Sequence, residues 1–444
     1  MQVSAERHLE MNTVLADLCR AHHIPGAQVA VCINDRPSLA SFGVLKHGHQ
    51  APVTTDSKFR IACLAKVVTA ALALQLAERR MISLDEPICR YCPSLPLRGE
   101  LVRLTLRNLL SHSSGLDASV ELMFGSESPL NDIGQFVHAA LPLAGSLSAP
   151  GSVFAYSTLD FSIAAYALER VAGLSWTTLA QQHVWQSFDV NPLAMQEPET
   201  SEGIAADHHL FGHNPRVREV APPQALPFLM AADSLGTYIS AAELMRFGHF
   251  LLKASRAPGS PWEELFIPSV SIPRHPLMLS AALGLIQFTN GAWGQIGNGK
   301  GHHALLALYP QQDIVVAIMT NSYSSLPLFW ELTNYVVQVP LHSQPLNADE
   351  LRVEEIAGVY VCQALSAQVV RENAEVRIRV LPTSPATFQR YPEPFLLEEI
   401  DPKAQLFVIR SPADSLIRGP VSFFKSRGEG CFLRINLTHL KRVS

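Results

Sequence analysis

The chain has 444 residues, with 34 basic against 39 acidic side chains and a formal net charge of −5. At that length, with 48% hydrophobic residues, two or three domains and a large core are expected. The mildly acidic balance gives no basic field, which excludes nucleic acid as an expected partner.

Met1-Gln2-Val3-Ser4-Ala5-Glu6-Arg7-His8-Leu9-Glu10 has no basic segment followed by an apolar one, so it does not read as a signal peptide. Residues 1 to about 22 read as a packing helix, and 24 to 80 as strands followed by a helix. The longest largely apolar runs, such as 67–77, fall well short of the roughly 20 residues of a membrane span. A cytoplasmic protein with no membrane span is expected.

Within Phe59-Arg60-Ile61-Ala62-Cys63-Leu64-Ala65-Lys66-Val67-Val68, Cys63 stands three residues before Lys66, and the apolar run beyond predicts a helix. Side chains three apart share one helix face, with Cβ atoms about 5–6 Å apart, so thiol and amine can meet. An amine beside a thiol near a helix start depresses the thiol pKa from about 8.5 and makes it a nucleophile. The plain alternative is a small core cysteine, the commoner use of this residue.

Cys89 and Cys92 have C-x-x-C spacing, but no second pair stands at metal spacing. The seven cysteines are odd in number and scattered, which suits a reducing compartment better than a disulfide framework. His208, His209 and His213 lie near Asp207, and His302 and His303 are adjacent. Neighbouring histidines on a strand point to opposite faces, and zinc needs three or four converging ligands, so no metal and no cofactor are expected.

Further along, 241–252 reads as a helix and 305–308 and 314–319 as strands. A polar, proline-bearing linker is expected over 339–349. Beyond it 356–361, 376–380, 406–410 and 432–435 read as short strands of a small β-barrel or sandwich over 350–444.

Several motifs stand in a recognisable order. Ile24-Pro25-Gly26-Ala27-Gln28-Val29-Ala30-Val31 and Ser41-Phe42-Gly43-Val44 lead to the Cys63 segment. Leu109-Leu110-Ser111-His112-Ser113-Ser114-Gly115-Leu116, Tyr156-Ser157-Thr158, Ser234-Leu235-Gly236-Thr237-Tyr238-Ile239-Ser240 and Gly294-Gln295-Ile296-Gly297 follow. Over about residues 15–335 the chain resembles the serine β-lactamase and penicillin-binding-protein-like superfamily, in the branch of class C β-lactamases, DD-peptidases and esterases. The resemblance implies an α+β fold: a β-lactamase/transpeptidase-like antiparallel sheet flanked by helices, forming a catalytic domain over 1–338 with a helix-rich insertion at about 85–235. Some relatives also carry a small C-terminal β-domain, here expected to be a lipocalin-like barrel.

The same resemblance implies a site, and the chain departs from the family pattern at three positions of it. Cys63 replaces the nucleophilic serine, Thr158 an asparagine, and Gln295 the lysine or histidine of the third motif, while Lys66 and Tyr156 are kept. Without a cation at 295, ordinary β-lactam binding is not expected. Carried over by position, Cys63 attacks a carbonyl, Lys66 deprotonates it or stabilises the thiolate, and Tyr156 shuttles the proton. Backbone N–H groups of Cys63 and of the chain near Gly297 and Asn298 hold the oxyanion. Thr158, Gln295 and His302 or His303 are candidates for substrate contact, histidine as a replacement polar group near Gln295. His112 is expected to hold its loop.

A thiolate leaves as readily as it attacks, so amide cleavage is disfavoured and an activated donor is preferred. The expectation is acyl transfer through a thioester acyl-enzyme, from a thioester or activated ester to an amine or hydroxyl. That is the chemistry of penicillin-binding-protein-like thioesterases, peptide cyclases and acyltransferases of secondary metabolism. The substrate would be a small-molecule or peptidyl acyl group, free or tethered to a carrier protein. A small-molecule esterase or amidase, and a non-catalytic binding relative, are the alternatives.

Overall fold

The computed structural model describes residues 5–125, 127–188, 190, 192–194, 203–211, 216–219, 226–299, 301–339, 353–372, 375–382, 395–401, 406–410, 417–426, 428–435 and 437–443. Helices and antiparallel sheets combine as the expected α+β fold. The chain divides into two compact units: 1–82 with 168–267 and 283–341, and 83–167 with 268–282 and 342–444. The stretch expected as one insertion over 85–235 is thus shared between the units. The expected linker, apart from its first residue, lies outside the described residues.

The first unit is organised by antiparallel strands in the order Arg36–Gly43, Gly26–Ile33, Ile314–Thr320, His302–Tyr309, Trp293–Gly299 and Ile286–Phe288. The first hairpin turns on Asn34 and Asp35, both left-handed at φ 50° and 65°. These are residues that tolerate this region, and two positive φ values in succession give a two-residue turn whose twist matches the strands. The central strands His302–Tyr309 and Ile314–Thr320 are buried along their whole length, hence their nearly unbroken apolar sequences. The helix Ala241–Ser255 is started by Ser240 and Glu243, which cap each other's backbone N–H groups. It lies close on the sheet at Gly248, where a Cβ would meet Leu306 and Val315 at 2.7 and 2.9 Å.

The helix Ala65–Glu78 is apolar all round and buried almost throughout. An amphipathic stripe is absent because no face meets water. Its one interior hydroxyl is fully used: Thr69 donates to the Ala231 carbonyl at 2.6 Å and accepts from the Trp176 indole at 2.9 Å.

In the second unit, the strands from Gly358–Val361 to Thr438–Arg442 form a closed eight-stranded antiparallel barrel in chain order, the first pairing with the last. Eight strands leave an interior just wide enough for side chains. Tyr360, Val369, Ile378, Phe407, Phe423, Leu433 and Leu440 fill it. Alternation carries Phe424 and Phe432 to the outer face, where they pack on Val153 of the helical segment. Polar contacts complete that seam: Gln363 and Ala364 donate backbone N–H groups to Asp117 (2.5 Å) and Ser119 (3.0 Å), and Lys441 donates to the Leu147 carbonyl at 2.8 Å.

Candidate active site

Cys63 sits at a sharp strand-to-helix turn. The strand Phe59–Ala62 pairs with Ser234–Ile239, with a register shift between Arg60 and Ala62. Ala62 follows in the left-handed region at φ 44°, where a non-glycine residue is uncommon. A bulge and a positive φ in succession re-aim the next side chain. Cys63 is a partly exposed thiol in no disulfide, and the Leu64 N–H returns to the Ile61 carbonyl at 3.0 Å, tightening the turn.

Lys66 is fully buried, and its ammonium donates to the Ala232 carbonyl at 2.7 Å. A buried polar group needs such a partner, since burying it without a hydrogen bond is costly. The adjoining Asp233 carboxyl is pushed up by burial, while the charges of Lys66 and His302 pull it down. Behind it lies a buried charged cluster. Asp207 faces Arg60 Nε at 3.3 Å and His302 Nδ1 at 3.1 Å, and the Arg60 guanidinium lies over the Tyr238 ring, 4.7 Å from its centroid. Removing one partner from such a buried set leaves an uncompensated charge and is far more costly than removing a surface pair.

The strand Trp293–Gly299 supplies the third motif. Gly297 lies against the strand Phe59–Ala62 so closely that a Cβ there would stand 2.3 Å from the Ile61 carbonyl oxygen. This contact brings Asn298 to the turn that carries Cys63. The Asn298 side chain accepts from or donates to His303 Nε2 at 3.0 Å, and the two residues are register partners. Gln295 is buried, with Oε1 accepting from the Ile296 N–H at 3.0 Å and Nε2 directed at the Gly284 carbonyl at 3.5 Å. In the strand register Gln295 faces Leu306 and His302 faces Gly299, so the structure places His302 on Asp207 and not beside Gln295.

Tyr156 and Thr158 belong to the second unit. His112, left-handed at φ 58°, stacks on Tyr156 with ring centroids 4.3 Å apart. Its Nδ1 accepts from the Ser157 N–H at 2.9 Å, and its carbonyl from Ala155 at 2.7 Å. Thr158 opens the helix Thr158–Ala172 and donates its N–H to Glu121 Oε2 at 2.8 Å. Beneath them Asp160 is fully buried and accepts from the Ser114 hydroxyl at 2.7 Å.

Burial pushes the Asp160 carboxyl up to about 8, from an unfolded value near 3.8. The folded chain therefore holds a proton that the unfolded chain has lost. The resulting stability is fully present below pH 3.8 and is lost as pH rises through about 8. Asp160→Asn is expected to remove that dependence: in urea melts the fall in stability from pH 5 to pH 8 should shrink by about 2 kcal/mol or more. Parallel wild-type and variant curves would refute it.

Of the histidines that could be drawn as metal ligands, His208 is used structurally, with Nδ1 on the Asn321 carbonyl at 2.9 Å and Nε2 accepting from the His47 N–H at 3.0 Å. His213 lies outside the described residues, and no group of three metal-binding side chains occurs among those described. Sequence reasoning singled out neither Asp233 nor Arg60 nor Glu121. Their partners lie far along the chain, and no local pattern marks them.

The beta-lactamase family model matches residues 11–336. Penicillin-binding protein 4 of Amycolatopsis lactamdurans is 27% identical over 370 residues, 76% of this chain and 93% of that protein. Penicillin-binding protein 4* of Bacillus subtilis is 25% identical over 217 residues, covering 48% of this chain and 46% of that one. Among solved structures, SurE superposes with a TM-score of 0.77 at 21% identity, covering 98% of this chain and 99% of SurE. The D-amino acid amidase of Ochrobactrum anthropi SV3 gives 0.63 at 19% identity, over 74% of this chain and 98% of the amidase. The chain belongs to the beta-lactamase family, within the penicillin-binding-protein-like superfamily of acyl-transferring hydrolases.

Proposed function

We propose that the chain is a cysteine-dependent acyltransferase that works through a thioester acyl-enzyme on Cys63. The observation that carries this reading is the placement of a partly exposed thiol, in no disulfide, at the turn Ala62–Cys63 where Ala62 is left-handed, directly before the helix that buries Lys66. In this reading Lys66 deprotonates the thiol or stabilises its thiolate, and Tyr156 carries the proton between the attacking or leaving group and Lys66. The N–H groups of Cys63 and Asn298 hold the oxyanion, each worth about 3–4 kcal/mol in the transition state. They are backbone donors, so changes at 158 and 295 leave them in place.

The donor is a thioester or activated ester. Against an amide, sulfur leaves the tetrahedral intermediate before nitrogen does; against a thioester the exchange is nearly even, and the acyl-enzyme is open to amines. The acyl group is small or peptidyl, free or held by a carrier protein, and the acceptor is an amine or hydroxyl.

Incubation with short peptidyl and fatty acyl thioesters, followed by intact-protein mass spectrometry, tests the reading. One acyl adduct per chain, discharged as amide when an amine is added, is expected. An adduct discharged only to free acid would make the chain a hydrolase, and no adduct from any donor would make it a non-catalytic relative.

A further inference from the structure

A pocket of about 160 Å³ opens within the first unit, between the helices Ala5–Ala21 and Leu326–Val337 and the strands Gly26–Ile33 and Arg36–Gly43. Its floor is apolar: Val31 and Ile33 project from the sheet, and Met11 and Val336 close in from the two helices. Alternation along Gly26–Ile33 turns Cys32 to the opposite face, where its sulfur lies 3.5 Å from His249 of the helix Ala241–Ser255. The pocket therefore lies on the face of the sheet turned away from that helix. It includes no residue of the Cys63 turn, of the Lys66 helix or of the strand Trp293–Gly299.

The rim carries two opposite charges. Arg36 is the register partner of Ile33, so both side chains stand on the pocket face. Glu10 comes from the first helix, and its Oε2 accepts from the Tyr335 hydroxyl at 3.2 Å, which joins the two helices. Among the described residues the Arg36 side chain has no ion-pair or hydrogen-bond partner, and the Glu10 carboxylate has only Tyr335. The helix Leu326–Val337 has no basic residue in its last turn, so the partial negative charge of its C-terminus is added on the Glu10 side.

A purely anionic guest would meet Glu10 and a purely cationic one Arg36, whereas a guest that carries both charges satisfies both. We propose that this pocket binds a small zwitterion with an apolar side chain, an aliphatic α-amino acid, with its carboxylate on Arg36 and its ammonium on Glu10. The guanidinium fork of Arg36 matches a carboxylate, and Glu10, with one oxygen on Tyr335, keeps the other for the ammonium. The side chain lies on Met11, Val31 and Ile33. An apolar cavity of about 150 Å³ takes up benzene, so a side chain of about four to six carbons fits. Binding here does not depend on acyl transfer at Cys63.

Ligand-observed NMR on the full chain, with norleucine, hexanoate and pentylamine as probes, tests the assignment. The last two are norleucine without its ammonium and without its carboxylate. Saturable norleucine binding, at least tenfold tighter than either, is expected. Arg36→Gln should weaken norleucine at least tenfold and leave pentylamine no weaker; Glu10→Gln should weaken norleucine as much and leave hexanoate no weaker. Both positions are exposed, so thermal unfolding of the two variants should match the parent. Cys63→Ala should leave every affinity unchanged. Absence of norleucine binding, equal affinity for the three probes, or indifference to both substitutions overturns the site. Loss of binding in Cys63→Ala also overturns it, by placing the amino acid at the Cys63 turn.

Discussion

Replacing Cys63 by alanine is expected to abolish the acyl adduct and lower acyl-thioester turnover by at least about 10³-fold, because no other group in the turn can form the covalent intermediate. The thiol follows the strand Phe59–Ala62, re-aimed by the register shift and the positive φ of Ala62. Lys66 is fully buried with its amine on the Ala232 carbonyl, so in the proposed reading it assists the thiol and does not replace it. Cys63→Ser is the sharper variant. It restores the family's usual nucleophile, yet an acyl-serine is an ester and resists amines better than a thioester. The adduct should therefore persist on the serine variant, with a lower ratio of amide to acid on discharge. Mass spectrometry over time reads both quantities. Undiminished turnover in Cys63→Ala would remove Cys63 from the mechanism.

Gly297→Ala is expected to cost both stability and rate. A methyl group at 297 would stand 2.3 Å from the Ile61 carbonyl oxygen, a backbone atom that cannot rotate away. The two strands must part by something near 1 Å. Overpacking of this kind costs about 1–3 kcal/mol. The same displacement moves the Asn298 N–H away from the Cys63 turn, and a 1 Å misplacement at a reacting centre lowers the rate by about 10²-fold. Gly145→Ala, where a Cβ meets nothing within 4 Å, serves as the control and should change neither quantity. Thermal unfolding and thioester turnover, measured side by side, check the pair. An alanine at 297 that leaves both unchanged would show that the strands are not in the contact described.

Much of the scaffold is legible in local sequence. The helix after Lys66 announces itself by its apolar run, and the central strands by theirs. The turn at Asn34 and Asp35 is a local matter of backbone preference, as is the cap formed by Ser240 and Glu243. The short alternating strands beyond the linker close into a barrel because Phe423 and Phe424, adjacent in sequence, must face opposite sides. The spacing of Cys63 and Lys66, and the order of the motifs around them, are likewise visible without coordinates.

The surroundings of those residues are not. Asp207 and His302 meet across 95 residues, and the adjacency of His302 and His303 concealed that one serves Asp207 and the other Asn298. Gln295 stands where a substrate-binding cation is usual, but its amide is taken up by its own strand and by the Gly284 carbonyl. Asp117 and Gln363 are joined across 246 residues, in the seam that sets Thr438 and His439 beside Tyr156. Sequence by itself determined the elements, the turn chemistry and the spacing of Cys63 and Lys66, because periodicity and φ preference act over a few residues. Tertiary structure alone decided which charges are paired, which are left open and how closely Gly297 approaches Ile61, because those depend on packing between segments that carry no mark of each other.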